Sequence, residues 1–395
     1  MKKQNLLIKL GLAIFIGITL GTMATSFGIE KSVPFTLFAR SASTFTSLFS
    51  ALLNFIIPLL ILSFISTGLA DLKKSASRLA ILTLLLAYIS TTIAGIGSFF
   101  ISRSVLPNFM GSLSLLQTGD ASYAPFFTIE IPALFGVMSA LVLAFILGIG
   151  TTFIKGDTLL GVLKDLQNIV AMLLEKIIIP LIPIHIACLF LTLSSQGRFL
   201  SLAKTFATTL ALIVMLQILY LIFQYAAASV LCKKNQIPKL KNAVPAYITA
   251  LGTQSSAATI PITLKCAYKN DINKDIADFC IPLCATIHLA GDTIAIVTSS
   301  IALLIASGQD VSFLTFLPFI LMLGVTMVAA PGVPGGGVMS ALALLESMLG
   351  FSTSLQQLMI ALHFAQDSFG TATNVTGDLA LAEVVNKYDR KTKTQ

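Results

Sequence analysis

The chain has 395 residues, of which 56% are apolar and 11% charged, and its mean hydropathy is +0.92. A soluble domain of this size carries about a quarter charged residues, so the composition excludes a soluble protein and places most of the chain in lipid. The net charge of +8 is then no sign of nucleic-acid binding, because basic residues of membrane proteins gather in cytoplasmic loops and report orientation.

A membrane-crossing helix needs roughly 20 apolar residues. Such runs lie at Leu6 to Thr25, Phe49 to Leu69, Leu79 to Leu106, Ile131 to Phe153 and Asn168 to Leu193. Five more lie at Leu202 to Leu231, Asn242 to Leu264, Phe279 to Ala306, Phe313 to Leu349 and Leu355 to Val385. Lys2, Lys3 and Lys9 place the N-terminus in the cytoplasm. Met23-Ala24-Thr25 after the first run resembles a signal-peptide end, but the runs downstream already demand a membrane-inserted chain. The alternation continues with Lys73, Lys74 and Arg78 inside, a weakly charged Ser104 to Phe127 loop outside, and Lys155 and Lys164 inside. Arg198 and Lys204, outside, depart mildly from the rule; Lys233, Lys234, Lys239 and Lys241 return inside.

The run Asn242 to Leu264 is followed by Lys265, Lys269 and Lys274, so both of its flanks are basic and cytoplasmic. With Pro245, Pro261 and Thr253-Gln254-Ser255-Ser256 inside it, the segment predicts a re-entrant hairpin. Phe313 to Leu349 repeats the pattern from the other side, since its flanks hold only Asp310 and Glu346 and its middle reads Ala330-Pro331-Gly332-Val333-Pro334-Gly335-Gly336-Gly337. Irregular backbone at membrane depth is tolerated only where protein or a wet cavity covers it. The predicted fold is therefore an all-α membrane protein with eight transmembrane helices plus two opposed re-entrant hairpins. Its C-terminus is cytoplasmic, where Lys387, Arg390, Lys391 and Lys393 sit, the last three in a charged tail over 389–395. Cys188, Cys232, Cys266, Cys280 and Cys284 are odd in number, lack a Cys-x-x-Cys spacing and read as small core hydrophobes. His185, beside Pro180 and Pro183, reads as structural.

His288-Leu289-Ala290-Gly291-Asp292 and Asn374-Val375-Thr376-Gly377-Asp378 share the pattern [His/Asn]-[Leu/Val]-x-Gly-Asp, and each copy follows one broken hairpin. Opposed hairpins with discontinuous helices are the inverted-repeat arrangement of secondary transporters. Hairpin tips would offer backbone N–H groups to a carboxylate. Unwound carbonyls with Asp378 would offer hard oxygens to a small cation. Asp292, Asp367 and Asp378 lie inside spans, where a carboxylate costs roughly 2.5 kcal/mol or more and needs a cation, an amine or water. Glu130, Glu175 and Lys176 sit at span ends and snorkel.

Four segments resemble the signatures of the dicarboxylate/amino acid:cation symporters, the glutamate-transporter family: Thr253 to Pro261, Pro282 to His288, Gly332-Val333-Pro334-Gly335, and Asn374 to Asp378. Phe55-Ile56-Ile57-Pro58-Leu59 and Leu69-Ala70-Asp71-Leu72 resemble its second helix. The resemblance implies a homotrimer with a static scaffold (residues 1–76 and 130–198) and a transport domain (77–107 and 199–388) that moves as an elevator. It implies that Asp367 holds a substrate α-amino group and that Asn374, with Thr371 nearby, binds the α-carboxylate. The same resemblance implies that backbone around Gln254, Ser255, Ser256, Val333 and Gly335 closes over that carboxylate.

The side-chain subsite departs from the family pattern. Where acidic-substrate members carry an arginine this chain has Gly370; their threonine corresponds to Asp292 and their aspartate to His363. A neutral or polar amino acid is the expected substrate, with a basic one open because Asp292 could pair with it. Ala290 and Gln366-Asp367-Ser368 also resemble the serine/threonine branch. For sodium, the resemblance implies one site from Asp378, Asn374 and the Cys284 carbonyl, and another from Thr286 with backbone near Met327, Val328 and Ala330. A third site keeps Ser90 and Thr91 but has His288 and Ala290 where the family has asparagine and aspartate, so a reduced stoichiometry is expected. His288 reads either as a neutral imidazole hydrogen-bonded where asparagine usually sits or as a titrating group that couples a proton or tunes sodium affinity.

No covalent cofactor is expected; the expected partners are an amino acid, membrane lipid and further copies of the chain in the inner membrane, and no nucleic acid. Two Gly-Asp pairs also admit an intramembrane aspartyl protease, and the fold admits a channel or a dicarboxylate carrier. None of these explains two opposed hairpins together with an amino-acid binding set. No phosphate loop, metal-ligand cluster or nucleophile constellation argues for an enzyme.

Overall fold

The apolar runs become helices, because lipid leaves the backbone no partner but itself. The computed structural model describes residues 6–74, 78–109, 123–196, 199–328, 330 and 334–393. Lys2, Lys3, Arg198, Gly332, Val333 and much of the Ser104 to Phe127 loop lie outside the described residues. Among the described residues all regular structure is helical.

Three long helices open the chain: α1 (Leu6–Ser26), α2 (Val33–Lys74) and α3 (Arg78–Phe109). The fourth, α4 (Val137–Gly150), has only 14 residues and is shorter than its apolar run. Pro125 and Pro132 bias the approach to it toward extended backbone. Next, α5 (Thr158–Leu173) continues through a π turn at Leu174–Ile178 into α6 (Ile179–Ser194), where Pro180 and Pro183 withhold backbone donors. A single rod, α7 (Phe199–Cys232), follows.

From there the runs are interrupted. Asn242 to Leu264 forms α8 (Leu240–Thr253) and α9 (Ser256–Lys269), which pack on each other. Gln254 ends α8 in the left-handed region at φ 52°, and the extended Ser255 caps α9 by accepting the Ala258 N–H at 3.3 Å. Phe279 to Ala306 is likewise two helices, α10 (Lys274–Ile287) and α11 (Ala290–Ala306), unwound at His288 and Leu289. Phe313 to Leu349 divides into α12 (Phe313–Met327) and α13 (Gly336–Leu349), and α14 (Thr353–Lys393) closes the chain.

Segments of α1, α2, α3, the α5–α6 rod, α7 and the α10–α11 pair are long and apolar enough to cross a membrane. The short α4 and the polar α14 do not meet that measure of length and hydropathy. Packing follows small residues, because lipid supplies no hydrophobic drive between helices. On α1, Gly17-Ile18-Thr19-Leu20-Gly21 lies so close to α6 that a Cβ at either glycine would collide with the Ala187 or Leu191 carbonyl oxygen. In turn α2 packs on α4, α5 and α6, and α14 is wrapped by α7, α8, α10 and α11.

Both α11 and α14 are buried on nearly every side, so their polar side chains must find partners within the protein. By contrast α1, α3 and α7 present Phe15, Ile16, Ile89, Ile93, Ile218 and Phe223 outward, a surface suited to lipid. Four of the five cysteines are buried.

Candidate functional site

The two Gly-Asp motifs start α11 and lie within α14, and these two interior helices pack on each other. The first residue of each motif bonds the aspartate of the other. Asn374 Nδ2 donates to Asp292 Oδ2 at 2.5 Å, and its Oδ1 accepts the Gly291 N–H at 2.7 Å. His288 Nδ1 lies 2.8 Å from Asp378 Oδ1. Unwinding at His288 makes this crossing possible, since it turns the side chain out of the α10 spiral toward α14.

His288 is the centre of a hydrogen-bond network: its Nδ1 pairs with Asp378, and its Nε2 pairs with Ser90 Oγ at 3.0 Å and lies 3.2 Å from Gln224 Nε2. Gln224 Nε2 also donates to Ser90 Oγ at 2.9 Å, and Tyr220 Oη donates to the Ser90 carbonyl at 2.5 Å. Asp378 Oδ2, Thr91 Oγ1 and Gln224 Oε1 are buried with no hydrogen-bond partner among the described residues. Buried oxygens left in this state are the usual mark of a water or cation site.

A second cluster lies on the opposite side of Asn374. His363 Nε2 is 3.1 Å from Asp292 Oδ1 and 3.5 Å from Asp367 Oδ1, yet it meets hydrogen-bond geometry with neither. Asp367 Oδ2 accepts the Gly335 N–H at 3.0 Å, so the start of α13 closes over this carboxylate. Gly335 is left-handed at φ 74°, and a Cβ there would run into the Phe364 ring. Beside Gly370 stands an amide pair rather than a cation: Gln217 Nε2 donates to Gln366 Oε1 at 2.9 Å and to the Gly291 carbonyl at 3.1 Å.

The sequence profile of the sodium:dicarboxylate symporter family matches residues 6–388. The chain belongs to that family. Over 160 residues it is 32% identical to excitatory amino acid transporter 5 of Mus musculus, a stretch covering 40% of this chain and 28% of that protein. It is 32% identical over 159 residues to excitatory amino acid transporter 1 of Rattus norvegicus, 40% of this chain and 29% of the relative. It is 29% identical over 162 residues to neutral amino acid transporter B(0) of Rattus norvegicus, 41% of this chain and 29% of the relative. The matched stretch thus spans under a third of each relative's length.

The sodium:dicarboxylate symporter family is one of integral membrane transporters, not enzymes. Within this member, Asp292, Asp367, Gly370 and Asn374 come together on α11 and α14 beside the Gly335 turn, and Thr371, one helical turn after Asp367, is buried. The α8–α9 turn is tied to the same helix, where Gln254 Nε2 donates to Ser368 Oγ at 2.8 Å; Ser256 is buried. Val333 lies outside the described residues. The cation candidates are divided. Asp378, His288 and Ser90 form one network, whereas Asn374 is turned to Asp292. The Cys284 carbonyl accepts the His288 N–H at 2.9 Å, and Thr286, exposed, donates to its own helix at Leu283. Tyr220, Gln217 and Gln224 belong to the site but carry no motif in the sequence; a polar residue inside the apolar run of α7 was the one available signal.

Proposed function

We propose that this chain is a secondary active symporter that couples sodium influx to uptake of a neutral or polar amino acid. Asp367 is the partner of the substrate ammonium, and Asn374 with the N–H groups of the two turns receives its carboxylate. The observation that carries the specificity is the Asp292–His363 pair at 3.1 Å beside Gly370. A subsite that neutralises its own carboxylate with an imidazole has no free cation for an acidic side chain and no free anion for a basic one. The relatives' names divide between excitatory and neutral amino acid transporters, and this subsite favours the neutral reading over the acidic amino acid or dicarboxylate one.

In this reading the chain crosses the inner membrane with eight helices and two opposed re-entrant hairpins, α8–α9 and α12–α13, and both termini are cytoplasmic. The scaffold is α1, α2 and α4 to α6; the mobile unit is α3 and α7 to α14, working as an elevator within a homotrimer. The close packing of α1 on α6 and of α2 on α4 to α6 supports that division, with α1 meeting α14 and α2 and α4 meeting α13 across it. His288 and Ala290 stand where the family's third cation site has asparagine and aspartate, so fewer sodium ions are coupled, with a proton as the alternative coupling ion. Uptake into proteoliposomes tests the proposal: accumulation against a gradient should collapse when a sodium ionophore is added, and accumulation indifferent to sodium and to pH would refute it.

A further inference from the structure

Asp292, His363 and Asp367 are all buried, and one ligand atom from each lies within 4.8 Å of the others. Each carboxylate has its Oδ2 held by a nitrogen donor, Asn374 Nδ2 for Asp292 and the Gly335 N–H for Asp367. Each turns its Oδ1 toward the same imidazole nitrogen, at 3.1 and 3.5 Å. That nitrogen satisfies hydrogen-bond geometry with neither.

Monodentate carboxylates whose outer oxygens are fixed by N–H donors are the arrangement found around bound metals, where the outer shell sets ligand direction. The spacing from the imidazole to each carboxylate, 3.1 and 3.5 Å, also fits. Ligands at about 2.0–2.1 Å from a tetrahedral ion stand about 3.3 Å from one another. Charge argues the same way, because among the described residues no lysine or arginine pairs with Asp292 or Asp367. Two carboxylates with no lysine or arginine beside them concentrate negative charge in a buried site, and a divalent ion offsets it.

We propose that Asp292, His363 and Asp367 form a binding site for a first-row divalent metal ion such as zinc, with the fourth position open. One nitrogen and two carboxylate oxygens suit zinc and its neighbours better than the all-oxygen cages of magnesium or calcium. The site shares two aspartates with the proposed amino-acid pocket, so metal and substrate exclude each other; its existence does not depend on what is transported.

Cobalt(II) is the direct probe, since its visible absorption intensifies in a tetrahedral site. Purified full-length protein should bind one cobalt ion per chain, displaced by zinc. His363→Gln and Asp292→Asn should each weaken binding by more than about 100-fold, beyond the loss typical of an outer-shell change. His185→Gln, on α6 against the Phe49 ring, should bind as the wild type does. Because a misfolded variant would also lose the metal, the wild-type protein alone supplies a second arm, in which saturating zinc raises its melting temperature. No intensified spectrum, no thermal shift, or equal affinity in the His363 and Asp292 variants would overturn the proposal. These readouts involve no transport, so they fail or succeed independently of the symporter reading.

Discussion

His288 Nδ1 stands 2.8 Å from Asp378 Oδ1, and the pair is the counterpart of Asn374 bonded to Asp292. Two copies of one short motif thus clasp each other, each offering its first residue to the other's aspartate. The imidazole engages one oxygen of that carboxylate, and Asp378 Oδ2 keeps its lone pairs free. His288→Asn should preserve the clasp through an amide N–H and change apparent sodium affinity by no more than about threefold, under 1 kcal/mol. Asp378→Ala should weaken it at least about tenfold. Sodium titrations of uptake by both variants measure the difference.

A Cβ at Gly370 would stand 3.3 Å from Gln366 Oε1 and 3.6 Å from Gln217 Nε2, so a side chain there must displace the amide pair. Gly370→Arg should shift preference toward acidic amino acids, and adding Asp292→Thr should shift it further, because the new guanidinium then no longer has Asp292 to satisfy first. Competition between serine and glutamate in the single and double variants reads this out.

The turn before α13 depends on Gly335. Alanine there meets both a left-handed backbone, costing roughly 1–2 kcal/mol, and the Phe364 ring. Gly335→Ala should lower substrate affinity and uptake together while the rest of the fold stays intact, which uptake kinetics beside a thermal melt of the purified protein would establish.

At the other end of α14, Lys239 Nζ lies 2.7 Å from Glu383 Oε1 and donates to the Asn270 carbonyl at 2.7 Å. Glu383 is 4% exposed. Lys239→Met strands its carboxylate and should destabilise the protein by up to about 3 kcal/mol, less than a fully buried pair because the lysine is partly exposed. The double variant with Glu383→Gln should recover much of that loss in thermal unfolding.

The breaks at Gln254 and before Gly335 are legible because proline, glycine and hydroxyl residues interrupt long apolar runs, and the three aspartates stand out because so little else in those runs is charged. The unwinding at His288 and Leu289 is harder to place, since neither residue is a helix breaker and the nearest proline is Pro282. What could not be read is which side chains meet. Gln217 and Gln224 reach the site across α7 from residues more than 60 positions away, and pairings of that range leave no local period. His363 is visible as a departure from the family pattern, but its place between two aspartates is set by the packing of α11 on α14.

Sodium-coupled uptake of a neutral or polar amino acid can be measured on the purified protein. Radiolabelled uptake into proteoliposomes, competed in turn by serine, alanine, glutamate and lysine with and without a sodium gradient, tests it most directly. The account predicts sodium-dependent uptake inhibited by serine or alanine and little affected by glutamate. Strong inhibition by glutamate alone would contradict it.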